Sequence, residues 1–281
     1  MLIVNTVCEA KKILRDIKNS GKSIGFVPTM GYLHSGHISL VDQSKKDNDF
    51  TVVSIFVNPT QFGPNEDLDK YPRDFVRDEK LLRDAGVDMV FYPSVETMYP
   101  DGYATFVNVE RVTDPLCGAK RPGHFRGVAT IVCKLFNIVS PDKSYFGLKD
   151  YQQVIVIKRM VEDLNMDVDV VGMPIVRESD GLAMSSRNVY LSPDERLSAL
   201  SLSRSFPLVE KKLKSGERRA SVIIKDVEDF ISSHPYSRID YVEIVDKDSL
   251  EKLDFIDRPF LMAMAVFINK TRLIDNKIFE V

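Results

Sequence analysis

The chain has 281 residues, 44% of them hydrophobic and 28% charged, and a formal net charge of only −3. That composition belongs to a soluble globular protein with a real core, of about two domains by length. The near-balanced charge gives neither a basic field for nucleic acid nor an acidic tail, which points to a small-molecule partner. From Val4 to Lys18 the spacing predicts an amphipathic helix, stopped by Asn19, Ser20 and Gly21. Acidic residues interrupt this segment and it has no apolar run of the signal-peptide kind. No stretch reaches the roughly 18 uncharged apolar residues that a membrane-spanning helix needs.

A strand is expected in SIGFVPT (23–29), broken by Pro28, then a helix in GHISLVDQSKKD (36–47) and a strand in TVVSIFVN (51–58), a βαβ unit with parallel strands. The alternation continues with a helix near 71–85, a strand at 87–93, a helix at 127–139, a strand KSYFG (143–147), a helix at 151–164 and a strand at 168–176. Such a pattern predicts an α/β fold with a Rossmann-like, doubly wound parallel sheet. The segment 105–127 interrupts it and is expected to form a short hairpin with a mobile loop. Beyond SPDE at 192–195 the pattern becomes helices followed by strands at 238–246, 260–268 and 271–281. Two domains are expected: residues 1–180, and a smaller α+β domain, 181–281. Cys8, Cys117 and Cys133 form no CxxC pair and are expected as buried, reduced thiols of a cytoplasmic protein.

The stretch PTMGYLHSGH (28–37) holds two of the four histidines. It falls at the carboxyl end of a predicted strand, where parallel sheets bind ligands. Gly31 permits a tight turn and Gly36 a close approach, while His34 and His37 share one side of the first helical turn. Two imidazoles beside a helix N-terminus suit phosphate, and donors fixed in advance stabilise the charge that develops in phosphoryl or adenylyl transfer. Read as a zinc site, HxxH lacks further ligands, because only His124 and His234 remain and no HExxH is present. GKS at 21–23 is no Walker loop, since Asp16 stands where that pattern needs glycine, and GxGxxG is absent.

HSGH resembles the HIGH motif of class I aminoacyl-tRNA synthetases and their nucleotidyltransferase relatives. Together with NPTQF (58–62), HFRGV (124–128), FGLKDYQQ (146–153) and MSSRN (184–188), in that order and spacing, the chain resembles the pantoate–β-alanine ligase family over essentially its whole length. The resemblance implies ATP, pantoate and β-alanine as substrates, magnesium with the ATP, a pantoyl adenylate intermediate, release of AMP and pyrophosphate, and a homodimer that binds neither nucleic acid nor membrane. It also implies that the second domain closes the active site.

Residue by residue, the resemblance places Met30, Gly31, His34, Gly36 and His37 along ATP, with His37 as the usual proton donor. Gly147, Leu148, Lys149 and Asp150 follow at the next ligand edge, Lys149 as a point charge on the phosphates and Asp150 at the ribose or in the magnesium shell. Val176, on a strand, would touch adenine through its backbone. Met184, Ser185, Ser186 and Arg187 occupy the place of KMSKS, where hydroxyls and a guanidinium stabilise the leaving pyrophosphate. SDG at 179–181 makes a flexible approach to them. Gln61, Gln153 and Asn58 are implied for pantoate or β-alanine; amides both donate and accept, which suits hydroxyls and a carboxylate. The catalytic set is therefore His34, His37, Lys149, Ser185, Ser186 and Arg187, with no protein ligand of magnesium assigned. The HxGH signal alone also fits a nucleotidyltransferase acting on a phosphate substrate, or a nucleotide sensor without turnover.

Overall fold

Short apolar segments bounded by turn residues become strands, several of them followed by an amphipathic helix. The computed structural model describes residues 1–64 and 66–280. In chain order it contains β1 (Leu2–Val4), α1 (Val7–Asn19), β2 (Ile24–Thr29), α2 (Ser35–Asp47), β3 (Phe50–Ile55), α3 (Phe75–Asp84), β4 (Met89–Phe91) and α4 (Val95–Met98). Next come α5 (Cys117–Lys120), α6 (His124–Val139), β5 (Lys143–Gly147), α7 (Tyr151–Asp163), β6 (Asp169–Met173), α8 (Pro193–Ala199), α9 (Ser201–Lys214), α10 (Ala220–Ser232), β7 (Ser237–Asp246), β8 (Phe260–Ile268) and β9 (Thr271–Phe279). Short 3-10 helices lie at Pro59–Gln61, Leu148–Asp150 and Ser186–Tyr190.

The first sheet has the order β1-β4-β3-β2-β5-β6, and its ladders are parallel. The order reverses between β2 and β5. Six residue pairs join β2 to β3, but only Gly25↔Lys143 and Phe26↔Ser144 join β2 to β5. Pairing across the switch point thus stops short of the carboxyl ends, which is where such sheets open a ligand crevice. The second sheet, β7-β8-β9, is antiparallel.

The chain divides into two compact units. The first holds Met1–Glu110, Arg121–Leu148 and Gln153–Pro174; the second begins at Ile175 and also takes in Arg111–Lys120 and Lys149–Gln152, from within the range expected for the first domain. Val27, Leu33, Val41, Val53, Val90 and Tyr145 are among the buried residues of one core, in the first unit. Phe206, Ile223, Val227, Ile244, Met262 and Phe279 belong to another, in the second.

Several local expectations are corrected. Residues 2–4 form a strand paired with β4, so the first helix begins at Val7, where Thr6 caps it by accepting from the Glu9 N–H. Pro28 does not break its strand: it is paired in register with Ser54, beyond the end of the β2–β5 ladder, where a missing donor costs no bond on that side. Segment 105–127 forms no hairpin; it runs irregularly into α5 and α6. Of the cysteines only Cys117 is buried, Cys133 being partly covered and Cys8 exposed, although all three are free thiols. The last strand ends at Phe279, and the expectation for residue 281 lies outside the described residues. SPDE behaves as its sequence suggests, with Ser192 and Glu195 exchanging side-chain and backbone bonds and Pro193 in the first turn of α8.

Candidate active site

In the first unit, candidate residues stand on the loop after β2. Gly31 (φ 82°) and Tyr32 (φ 50°) both adopt left-handed backbone, a turn that needs glycine at its first position. A side chain at Gly31 would also press on Asp78 Oδ2, 3.1 Å from an added Cβ. Asp78, on α3 and 1% exposed, accepts from the Tyr32 N–H at 2.6 Å and the Leu33 N–H at 2.7 Å. Burial pushes its carboxyl above the usual aspartate range, against those two bonds. Arg77 donates to the Leu33 carbonyl at 2.9 Å and lies over the Tyr32 ring. The turn is therefore held from both sides by neighbours on one helix.

Immediately after it His34 caps α2 and His37 stands in the first turn, with ring centroids 4.0 Å apart. The His34 backbone N–H donates to His37 Nδ1 at 3.2 Å. An Nδ1 that accepts leaves the proton of a neutral imidazole on Nε2. Both rings are half-buried, at the carboxyl end of β2 and on the N-terminus of a thirteen-residue helix.

Gln61 lies in the 3-10 turn after β3, and Gln153 in the first turn of α7, after β5. The topology thus brings the two amides from the strands on either side of β2. Gln61 Nε2 donates to Met30 Sδ at 3.1 Å. The neighbouring glutamines at the start of α7 divide their work: Gln152 is 6% exposed and bonds the Cys117 N–H and the carbonyls of Val112 and Pro115. Gln153 is half-buried, and its side chain bonds no other described residue. Asn58 is not open to a ligand as expected: it is 1% exposed and its amide is engaged by other residues. At Gly147 an added Cβ would meet nothing within 4 Å, so that backbone is approachable. Leu148 packs instead, its Cδ2 lying 2.8 Å from where a Cβ on Gly172 would stand.

Sequence reasoning passed over the brace beside Gln61. Arg121 grips Glu66 with two bonds of 2.6 Å, and its Nη1 meets His124 Nε2 at 3.0 Å. His124 Nδ1 faces the Gln61 carbonyl at 2.8 Å; a carbonyl only accepts, so the ring carries its proton on Nδ1 and receives Arg121 on Nε2. Burial alone would raise Glu66, but the Arg121 guanidinium outweighs it and holds the carboxyl below its ordinary range. His124, from the HFRGV motif, thus braces the Gln61 turn. Arg126 lies over the Phe106 ring.

The second unit carries the remaining residues. Lys149 Nζ is 3.9 Å from Asp150 Oδ2, and the Lys149 carbonyl accepts from Asn276 Nδ2 at 2.8 Å. The Asp150 side chain is half exposed. Val176 is not on a strand, since β6 ends at Met173; its carbonyl accepts from the Met184 N–H, closing a small antiparallel loop with the Arg177↔Ala183 bridge. SDG, expected as a flexible approach, is a hydrogen-bonded turn: Gly181 (φ 98°) donates back to Glu178, and Arg196 clasps Glu178 and Asp180 at 2.6 and 2.8 Å. Arg177 forks onto buried Asp275 at 2.7 and 3.0 Å. Ser185 caps the 3-10 helix by accepting from the Arg187 N–H at 3.3 Å, Ser186 is 8% exposed, and Met184 and Arg187 are half-buried. No cluster of three or more acidic, histidine or cysteine side chains suited to a metal occurs among the described residues.

Comparison with known proteins decides between the readings that HxGH leaves open. The family model described as pantoate–β-alanine ligase matches residues 2–278. The chain belongs to the pantoate–β-alanine ligase family. It is 60% identical to the pantothenate synthetase of Acetivibrio thermocellus over 281 residues, covering 100% of both chains. It superposes on the crystal structure of pantothenate synthetase from Thermus thermophilus with a TM-score of 0.93 at 47% identity, covering 99% of each. The Francisella tularensis pantoate–β-alanine ligase, solved with β,γ ATP and β-alanine, matches with a TM-score of 0.80 at 33% identity, covering 99% of this chain and 97% of that one. The Rossmann-like fold and the ligase resemblance are borne out; the nucleotidyltransferase and sensor alternatives are set aside.

Proposed function

We propose that this chain condenses pantoate with β-alanine to pantothenate, coupled to cleavage of ATP to AMP and pyrophosphate. In the first step a pantoate carboxylate oxygen attacks the α-phosphorus of ATP; the bond to the β-phosphate oxygen breaks and pyrophosphate leaves. In the second step the β-alanine amine attacks the acyl carbon of pantoyl adenylate, AMP leaves with the acyl-oxygen electron pair, and the amine gives up a proton. Family membership supports this reaction as a whole. The observation that carries the site assignment is the bond from the His34 N–H to His37 Nδ1.

That bond leaves the proton of a neutral His37 on Nε2, a donor suited to stabilising charge on the phosphate oxygens at the moment of transfer. His34, on the same helix N-terminus, adds a second imidazole beside the helix dipole. Met30, Gly31, Gly36 and the open backbone of Gly147 line the nucleotide, with Leu148 acting by packing. Lys149 supplies a point charge to the phosphates, and Ser185, Ser186 and Arg187 meet the leaving pyrophosphate. Val176 offers backbone rather than a side chain to adenine, with Met184 beside it. Gln61 and Gln153 hold pantoate; Asn58 serves this subsite from behind.

Magnesium fits this donor set in one way. Asp150, a half-exposed carboxylate, would complete the shell of an ion brought in with ATP, phosphate and water supplying the rest in the usual manner of nucleotide magnesium. When bound it neutralises phosphate charge. The family resemblance supports a homodimer, and the charge balance supports the absence of a nucleic-acid partner. No described helix is long and apolar enough to cross a membrane, and free thiols accord with a cytoplasmic setting.

The test is product analysis with all three substrates. AMP, pyrophosphate and pantothenate should appear in equal amounts and only when pantoate is present. ADP and phosphate in their place would refute the adenylate route.

A further inference from the structure

The amide of Asn58 is enclosed by groups whose roles leave it one orientation. Oδ1 accepts from the Tyr99 hydroxyl at 2.8 Å, from the Thr60 hydroxyl at 2.9 Å and from the Thr60 N–H at 3.4 Å. Nδ2 donates to the Gly127 carbonyl at 3.1 Å and to Gln61 Oε1 at 3.0 Å. A backbone carbonyl only accepts and a backbone N–H only donates, so Asn58 meets Gln61 with its nitrogen. Gln61 Oε1 is thereby occupied, and Nε2, already against Met30 Sδ, is the end left to meet a ligand.

Tyr99 supplies the shortest of the bonds to Asn58. It caps the C-terminus of α4, and its ring is held edge-on by Tyr103 at 5.0 Å and tilted against Phe56 at 6.2 Å. Lys134 Nζ lies 5.5 Å from the ring centroid. Burial raises the Tyr99 hydroxyl to about 12, so it keeps its proton throughout the neutral range. The turn itself sits tightly on α6, since an added Cβ on Gly127 would lie 2.7 Å from Gln61 Cα.

We infer that Tyr99 is a positioning residue for the ligase reaction: through Asn58 it fixes the Gln61 amide so that pantoate meets N–H donors and no competing acceptor. The group that Gln61 recognises is then an oxygen acceptor, the carboxylate or a hydroxyl oxygen of pantoate. This deepens the pantoate role proposed for Gln61 and rests on it. Loosening the relay lets the Gln61 amide turn its oxygen toward that acceptor, which weakens pantoate binding and leaves ATP untouched.

The experiment is a double-mutant cycle on pantoate-dependent exchange of labelled pyrophosphate into ATP, using wild type, Tyr99→Phe, Gln61→Ala and the double variant. Tyr99→Phe keeps the ring, and a thermal melt checks its fold. The expected result is a pantoate KM raised about fivefold by loss of one hydrogen bond, with the ATP KM unchanged. On the Gln61→Ala background the same change should add nothing, because its route of action is already gone. An unchanged pantoate KM in Tyr99→Phe, an equal rise on both backgrounds, or a parallel loss in the ATP parameters overturns the inference while the Gln61 role stands. A Gln61→Ala variant with the wild-type pantoate KM refutes the Gln61 role itself.

Discussion

His34 and His37 are joined by a backbone-to-ring bond, the His34 N–H donating to His37 Nδ1 at 3.2 Å. In a neutral His37 ring the bond leaves the proton on Nε2. His37→Ala should therefore slow pantoyl adenylate formation about a hundredfold or more, the effect of deleting one preorganised donor, and change pantoate KM little. Single-turnover rates check this; a rate close to wild type would remove His37 from the chemistry.

Asp78 holds the turn that carries those histidines. Asp78→Asn replaces one acceptor oxygen with a donor facing a backbone N–H, which leaves a buried bond unmade. A loss of about 1–3 kcal/mol in unfolding free energy is expected, together with a fall in adenylate formation. Denaturant titration and exchange rates read the two effects. Full activity in a folded Asp78→Asn protein would show that the turn does not need this carboxylate.

Gly127 lies under the NPTQ turn. Gly127→Ala places a methyl group 2.6 Å from the Thr60 carbonyl carbon and 2.7 Å from Gln61 Cα, both backbone atoms that cannot rotate away. Overpacking of this kind costs about 1–3 kcal/mol, and pantoate KM should rise because Gln61 is displaced. A variant with wild-type stability and KM would contradict the close approach.

Glu66 gives a pH signature. Its folded carboxyl lies below the ordinary glutamate value of 4.5, held there by Arg121 against the opposing effect of burial. The depressed value means that its stabilisation is present above the unfolded pKa and disappears as pH falls through the folded one. The stability difference between wild type and Glu66→Gln should be full at neutral pH and shrink as pH drops below about 4.5. Asp78 shifts in the opposite direction, but it is common to both proteins and cancels in the difference. A difference constant from neutral to acid pH would show that the pair contributes nothing through its charge.

The alternation of apolar strands and amphipathic helices made the sheet legible, and the HxGH and FGLKD motifs could be placed at carboxyl ends because they follow strands directly. What was illegible depends on partners distant in sequence. Asp78 is 46 residues from Tyr32, and Tyr99 is 41 from Asn58; no local period announces either bond. Asn58 reads as a substrate amide until its burial is known. Gln152 and Gln153 look alike in the sequence, and their surroundings alone separate them. Pro28 looks like a strand breaker because sequence cannot show where the ladder to β5 ends. Three residues at Leu2–Val4 are too few to display alternation and become a strand by pairing with β4.

The most direct measurement of the central claim is exchange of labelled pyrophosphate into ATP with pantoate present and β-alanine omitted. A reversible adenylate step predicts exchange that requires pantoate and falls about a hundredfold or more in His37→Ala. No exchange by folded, ATP-binding protein, or exchange that does not depend on pantoate, would contradict it.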